Sequence, residues 1–445
     1  MRKLITLIVR KLYKKFTIID NLTNEYKKIQ FLSENELINF QSKRLEKLLI
    51  HCKKNVSYYR KFLDIYDEKS FKNFDIKSLP ILTKDILRKK FNELESDDLQ
   101  TRDWVVNSSG GSTGEPVKII QDTYYSYHSE ARKNICFQWA GLETGDNLIK
   151  LWGSERDILG TSRLLDKIKY FLKNEIILNA FILSRPLMKK FINIINSSKP
   201  STVLAYANAI YELSNFAKNE NIKISRQNSV ISTSGVLHPF LRKKIEMTFG
   251  CKVYDQYGSR EVSCIASECE YSNGLHISEE TILLEIVDEN GNECPVGVEG
   301  DVLVTSLVNY AMPIVRYKIG DRAIMESGFC KCGRSHKRLK NVVGRSMDNF
   351  KLRDGTIIPS EYFIHFIGVV LNRGILKKIQ IIQRSYDLVD LYVVYSDEKI
   401  LSEDVQNITQ AVKKVMGKNC TVNIHEKKDI AVNSSGKFRY TICEL

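Results

Sequence analysis

Apolar positions along this chain recur at two periods, and the switches between them mark out its elements. From about residue 33 to 98 they fall at helical spacing, with Leu37, Phe40, Leu45, Leu48, Leu49 and Ile50 forming one stripe. Pro80 followed by Thr83-Lys84-Asp85 predicts a turn and a helix N-cap. Val105-Val106 reads as the end of a strand and Val117–Gln121 as a strand returning from the loop between them. Tyr124–Trp139 predicts a helix and Leu148–Trp152 a buried strand. Residues 160–225 alternate helical and short apolar segments, among them a strand at Thr202–Tyr206 and a helix over 209–218. Val230–Gly235 is again strand then tight turn, His238-Pro239 opens a helix ending near Gly250, and Lys252–Tyr254 is a further strand. Strand, turn and helix repeated at this pace predict an α/β sheet whose strand-end loops carry function. Residues 281–325 are richer in Val, Ile and Thr, with turns at Asn290-Gly291 and Gly297–Gly300, which predicts a β-rich subdomain. Beyond about 345 short strands at Ile379–Ile382, Leu391–Tyr395 and Thr421–His425 surround a helix at Ser402–Val415, enough for a small α+β domain. The expected fold class is therefore α/β, with a basic amphipathic extension over 1–34, a large domain over 35–345 and a small domain over 346–445.

Composition narrows the picture without changing it. At 445 residues, 43% hydrophobic and 27% charged, the chain suits a folded protein with two or three full cores. The net charge of +14 points to phosphorylated small molecules, nucleic acid or anionic membrane. The basic excess is spread out and no basic tract with interleaved aromatics dominates, so nucleic acid is discounted. Ten cysteines without a signal peptide predict reduced thiols in the cytoplasm, some of them metal-bound. Residues 1–16 carry Arg2, Lys3, Arg10, Lys11, Lys14 and Lys15 and no acid, and the apolar run Leu4–Val9 is too short to span a bilayer. Two readings stay open there: a peripheral helix on an anionic membrane, or a surface helix packed on the body.

The candidate chemistry starts at Ser108-Ser109-Gly110-Gly111-Ser112-Thr113-Gly114, an unbroken run of Gly, Ser and Thr after a strand. Glycines let backbone N–H groups converge on one point and hydroxyls add donors, which suits a polyphosphate. No Lys follows Gly114 directly, so this is not the nucleotide loop ending in Lys-Ser/Thr. Four further islands follow in order. In Tyr254–Glu261, Tyr257 could stack on a base and Glu261 could hold Mg²⁺ through hard oxygen ligation. Arg316–Asp321 ends in an acid able to accept two ribose hydroxyls. Val343–Asp348 places Arg345 at the change of texture, and Asn433–Arg439 presents Lys437 on a Gly-containing loop.

In this order and at these separations the islands resemble the adenylate-forming superfamily, which comprises acyl-CoA synthetases, peptide-synthetase adenylation domains and luciferase-type enzymes. The chain is most similar to the phenylacetate–CoA ligase-like branch, which includes proteins of capsule and surface-polysaccharide biosynthesis. Gln41, Leu48-Leu49 and Ser57-Tyr58-Tyr59-Arg60 also resemble that branch. The resemblance implies that Ser108–Gly114 wraps the β- and γ-phosphates of ATP, and that Ser234-Gly235 and Asp255-Gln256-Tyr257, with Gly258-Ser259 beyond, line the nucleotide. Glu261 would bind Mg²⁺, Asp321 the ribose, and Arg345 ribose or phosphate. Lys437 would bridge the attacking carboxylate and the α-phosphate, where charge builds during in-line displacement. The implied small domain is mobile, swinging after adenylation to bring in the thiol acceptor. Two departures stand out: Val117 follows Pro116 where the family often has Lys, with Lys118 one later, and Met347 replaces the usual hinge residue.

The cysteines add a separate signal. Cys269, His276, Cys330 and Cys332 suit a closed tetrahedral Zn²⁺ site, with Cys264 as a reserve ligand, and relatives in the branch carry zinc at similar positions. Four protein ligands leave no open position, so the metal's role would be structural. Lys351-Leu352-Arg353-Asp354-Gly355 superficially resembles a nucleotidyl-ligase motif but has one residue too many, and it is placed in the interdomain linker. His128, His238, His336 and His365 read as surface or core histidines, and Trp139 and Trp152 as core or acyl-pocket wall. The expected function is ATP-dependent activation of a carboxylic acid to an acyl-adenylate, then transfer to coenzyme A. The alternatives are transfer to a sugar amine or hydroxyl or a carrier protein, and a non-catalytic nucleic-acid or membrane-binding protein on the same scaffold. The pocket for the acid is expected around Trp152, Tyr206, Asn208 and Val236; the acid and the oligomeric state are left open.

Overall fold

The computed structural model describes residues 2–108, 117–153, 170–343, 348–365, 367, 376–395, 402–430 and 439–445. Its main body is built on one eleven-stranded sheet. Strands β1 (Trp104–Ser108) and β2 (Lys118–Asp122) form a separate antiparallel pair over it. The parallel half of the sheet holds β3 (Leu148–Trp152), β4 (Glu175–Asn179), β5 (Thr202–Tyr206), β6 (Ser229–Thr233) and the first residues of β7 (Val253–Ser259). All five residues of β5 are buried, as a central parallel strand covered on both faces requires. The antiparallel half continues through β8 (Ser263–Glu268), β9 (Leu275–Ile277), β10 (Ile282–Val287), β11 (Glu299–Ser306), β12 (Tyr317–Glu326) and β13 (Arg338–Val343). The β-rich stretch expected over 281–325 is thus one wing of the same sheet.

β7 is the seam. Val253–Asp255 run parallel to β6, and Gln256–Ser259 turn to pair antiparallel with β8. A register shift between Tyr257 and Gly258 marks the change, and a side chain at Gly258 would lie 2.6 Å from the Ser263 carbonyl oxygen. Only glycine fits that approach.

The helices begin where local chemistry starts them. Asp122 accepts the Tyr125 N–H at 2.7 Å and caps helix Thr123–Trp139; Pro239 opens helix Pro239–Phe249, which ends on Gly250 at φ 65°. The stretch from 33 to 98 is less continuous than its periodicity predicts. Helix Glu34–Asn55, started by a Ser33–Glu36 capping box, and helix Ser57–Leu63 are followed by short 3₁₀ turns. There Asp67 and Asp75 accept backbone N–H groups from Ser70 and Lys77, giving the backbone an alternative to a helix. Thr83 caps the next helix as expected.

After β13 the chain makes a small hairpin, β14 (Phe350–Lys351) with β15 (Ile357–Ile358), then helix Ser360–His365. Arg353–Gly355 is the turn of that hairpin, not an extended linker, with Gly355 at φ 81°. A separate four-stranded sheet follows, from β16 (Leu376–Ser385), β17 (Leu388–Tyr395), β18 (Thr421–Glu426) and β19 (Thr441–Cys443), with helix Ser402–Met416 against it. The hairpin is docked on the main body: Leu183 and Ile357 exchange backbone hydrogen bonds of 3.0 and 3.3 Å, and the Phe181 and Tyr362 rings meet edge-on at 5.7 Å. One buried cluster therefore runs from the parallel strands into the small sheet.

Candidate functional site

Ser108, the last residue of β1, sits beside the far end of β7 although some 150 residues separate them. The Arg260 guanidinium donates to the Ser108 carbonyl at 3.2 Å. Gln121 on β2 donates to the carbonyls of Arg260 and Glu261 at 2.8 and 3.1 Å, and Asn107 donates to the Gln121 side-chain oxygen at 3.1 Å. The amide side chains thus hold the ends of β1 and β2 against the Tyr254–Glu261 island. Arg260, Gln121 and Asn107 are absent from the expected site residues. The signal available for Gln121 was a polar residue directly after the apolar pair Ile119-Ile120. Ser109, Gly110, Gly111, Ser112, Thr113 and Gly114 lie outside the described residues, as do Pro116, Arg345, Met347 and Lys437.

Two islands meet directly. The Tyr257 hydroxyl donates to Asp321 Oδ2 at 2.9 Å, and the Tyr317 hydroxyl donates to Glu261 Oε1 at 3.3 Å. Glu261 is buried, and among the described residues it forms no ion pair. A buried carboxylate without a cation is costly, so this acid suits a hard divalent ion such as Mg²⁺. Within the third island Arg316 has a different place: buried, at φ 51°, it pairs with Glu285 at 3.0 Å and donates to the Leu79 carbonyl at 2.9 Å.

Ser234-Gly235 follow β6, next to β7, with Ser234 exposed at φ 62° and Gly235 close against Ala207. Ser232 on β6 registers with Asp255 on β7. Burial, reinforced by the nearby Glu268 carboxylate, pushes Asp255 up to about 7. Glu268 accepts the Asp255 N–H at 2.9 Å, and Arg242 Nη2 donates to its two carboxylate oxygens at 2.8 and 2.9 Å. Gly258 and Ser259 serve the turn itself, where Ser259 Oγ accepts the Val262 N–H at 3.3 Å. Beside these, at the ends of β3 and β5, the rings of Trp152 and Tyr206 stack obliquely at 4.7 Å, with Asn208 and Val236 half-buried nearby in sequence. The arrangement follows the rule that open α/β sheets bind ligands outside the carboxyl ends of their strands.

On the antiparallel wing Cys269, His276, Cys330 and Cys332 come together, their ligand atoms all within 4.8 Å of one another. Cys269 Sγ and Cys330 Sγ are 3.7 Å apart, and Cys332 Sγ is 3.4 Å from His276 Nε2. Two sulfurs held at about 2.3 Å from one tetrahedral centre would sit about 3.8 Å apart, and a sulfur and a nitrogen about 3.5 Å apart. The donor set and spacing fit Zn²⁺. Burial, then the neighbouring His336, keeps His276 neutral by lowering its pKa to about 3, the form a metal ligand needs. His276 Nδ1 lies 3.3 Å from the His336 carbonyl oxygen, which orients the ring. Cys264 is not part of this set. Its sulfur instead lies 3.1 Å from Cys136 on helix Thr123–Trp139 and accepts from Ser278 Oγ at 3.7 Å.

The histidines divide by environment. His128 is buried against the Tyr26 hydroxyl, His238 is exposed, and His336 lies 3.1 Å from Glu280, which also pairs with Arg132 at 3.3 Å. This fully buried Arg132–Glu280–His336 group was not foreseen.

Residues 351–444 match the family described as the CapK C-terminal domain. Protein CapK of Staphylococcus aureus is 24% identical over 427 residues, covering 94% of this chain and 92% of that one. Phenylacetate-coenzyme A ligase of Thermus thermophilus is 23% identical over 354 residues, covering 75% and 76%. A crystal structure of 2-hydroxyisobutyryl-CoA ligase with 2-HIB-AMP and CoA superposes with a TM-score of 0.60 at 18% identity, covering 94% of this chain and 92% of that one. The same ligase in its postadenylation state gives 0.58 at 18% identity over the same shares. Over most of its length the chain is similar to CapK and to the phenylacetate–CoA ligases, and it carries the fold of an acyl-adenylate-forming CoA ligase.

Proposed function

We propose that this chain activates a carboxylic acid with ATP and passes the acyl group to coenzyme A. A carboxylate oxygen attacks the α-phosphorus, the bond to the bridging oxygen of the β-phosphate breaks, and pyrophosphate leaves. The coenzyme A thiol then attacks the acyl carbonyl and AMP departs. The observation that supports this best is the meeting of three distant stretches at one strand end, with Tyr257 on Asp321 at 2.9 Å and Glu261 buried beside them. In this reading Asp321 takes the ribose hydroxyls, Tyr257 packs on the adenine, and Ser234-Gly235 and Asp255-Gln256 line it. Ser108–Gly114 enclose the β- and γ-phosphates, and Arg345 reaches ribose or phosphate. Mg²⁺, held by Glu261, would offset phosphate charge. Lys437, on a domain spanning about 346–445 that moves between the two steps, would stabilise the α-phosphoryl charge by about 3–4 kcal/mol. Zn²⁺ on Cys269, His276, Cys330 and Cys332 would tie the β8–β9 turn to the β12–β13 connection and do no chemistry. The described cysteines all carry free thiols, which fits a reducing cytoplasm.

The test is ATP–pyrophosphate exchange over a panel of carboxylic acids, followed by addition of coenzyme A. Exchange with some acid and thioester formation with coenzyme A are expected; no exchange with any acid would overturn the reading. One observation favours a second acceptor: the match at 351–444 carries the CapK description. Exchange without thioester, and acyl transfer to an amino sugar or carrier protein, would establish that version.

A further inference from the structure

The first helix, Arg2–Leu12, is packed the reverse of an ordinary surface helix. Its polar side faces the body: Thr6 is buried, Lys3 pairs with Asp146 at 2.6 Å, and Arg10 pairs with Asp20 at 2.5 Å. Thr6 and Arg10 line a cavity of about 360 Å³ together with Lys133, Lys150, Lys173 and Glu175. Leu7 packs beside Gly145, but a second apolar side faces outward: Leu4, Ile8 and Leu12 form an i, i+4, i+8 stripe left 62%, 51% and 76% exposed. Exposed leucines are common singly, but three in register on one helix face are a patch that calls for a partner.

Charge identifies that partner. Residues 2–15 contain Arg2, Lys3, Arg10, Lys11, Lys14 and Lys15 and no acid. Lys3 and Arg10 are used inward, whereas Lys11, Lys14 and Lys15 are exposed beside the apolar stripe and form no ion pair among the described residues. An outward apolar stripe bordered by unpaired lysines matches the boundary between acyl chains and anionic headgroups. No described helix is long and apolar enough to cross a membrane, so contact would be confined to one leaflet.

We infer that residues 2–15 seat this protein on an anionic lipid surface, with Leu4, Ile8 and Leu12 entering the headgroup–acyl boundary and Lys11, Lys14 and Lys15 against the lipid phosphates. This rests on the orientation of the helix and is independent of the acid or acceptor used at the ATP site.

The experiment is co-sedimentation of the full chain with vesicles of phosphatidylcholine alone and of phosphatidylcholine with about one-third phosphatidylglycerol. Binding to the anionic vesicles, weakening as salt rises, is expected, with little binding to the neutral ones. Replacing the three lysines (K11Q/K14Q/K15Q) should weaken partitioning on the order of 100-fold, at roughly a factor of five per lysine. The L4S/I8S/L12S variant should lose binding while keeping wild-type adenylation. Should that variant fold poorly, the lysine variant, whose positions are all exposed, carries the test alone. Absence of binding by wild type, equal binding to neutral vesicles, or undiminished binding by the lysine variant overturns the inference. So does a change from dimer to monomer in L4S/I8S/L12S where wild type ignores vesicles, which would make this face a protein interface.

Discussion

Arg132 and Glu280 give the sharpest test of how the body is held together. Their side chains are 1% and 0% exposed and approach to 3.3 Å, linking helix Thr123–Trp139 to the turn before β10. Burial alone would raise the Glu280 pKa, but Arg132 and then His336 more than offset it and hold the carboxylate at about 2. Arg132→Met removes the larger compensating charge and leaves an acid in a dry interior. Truncating one partner of a buried ion pair costs about 3–5 kcal/mol. The guanidinium also lies 4.6 Å above the Trp139 ring, so urea unfolding followed by tryptophan fluorescence reports on this site. Arg132 Nη1 and Nη2 have no hydrogen-bond partner among the described residues, so the pair itself is poorly solvated. Replacing both partners, Arg132→Met with Glu280→Leu, should therefore recover most of the loss. Because the folded pKa of Glu280 is depressed, its contribution is present above the unfolded value near 4.3 and fades as pH falls toward 2. A single variant losing less than about 1 kcal/mol, or a double variant losing the sum of the two single losses, would refute this reasoning.

Other outcomes follow from the same geometry. Metal analysis of purified protein should find zinc at one equivalent per chain, reduced in Cys332→Ser, with chelation lowering thermal stability. Asp255→Asn should be more stable than wild type at pH 8, because the folded pKa of Asp255 is raised to about 7 and its ionised form is disfavoured there. The gap should shrink as pH falls from 7 toward 4, where wild-type Asp255 becomes neutral in both states, and urea unfolding across that range checks the sign. Asp321→Asn should raise the KM for ATP about tenfold or more, the effect of losing a charge-assisted hydrogen bond, and leave the KM for the acid nearly unchanged in steady-state assays.

Much of this was legible in the chain. Strands Leu148–Trp152 and Thr202–Tyr206 appear where their apolar runs predict, since a parallel strand covered on both faces has little freedom to be anything else. The grouping of Cys269, His276, Cys330 and Cys332 was legible because thiolates and an imidazole together suit a soft tetrahedral ion. What stayed hidden depends on partners far along the chain. Gln121 reads as an ordinary polar strand end until Arg260 and Glu261 lie beside it. Cys264 looked like a reserve metal ligand by spacing alone, yet its sulfur sits against Cys136, far along the chain, and outside the four-ligand cluster. Arg132 and Glu280 carry no motif, and only burial makes them matter. The helical stretch after residue 33 was overextended because aspartate caps compete with helix continuation at Asp67 and Asp75.

The central claim is that the acid is joined through its own oxygen to the α-phosphorus of ATP. Turnover of a carboxylic acid bearing heavy oxygen, with mass analysis of the nucleotide product, tests that bond directly. The account predicts one labelled oxygen in AMP, with the rate of its appearance falling sharply in Lys437→Ala. Label found instead in inorganic phosphate alongside ADP, or no labelled AMP with any acid that is turned over, would contradict it.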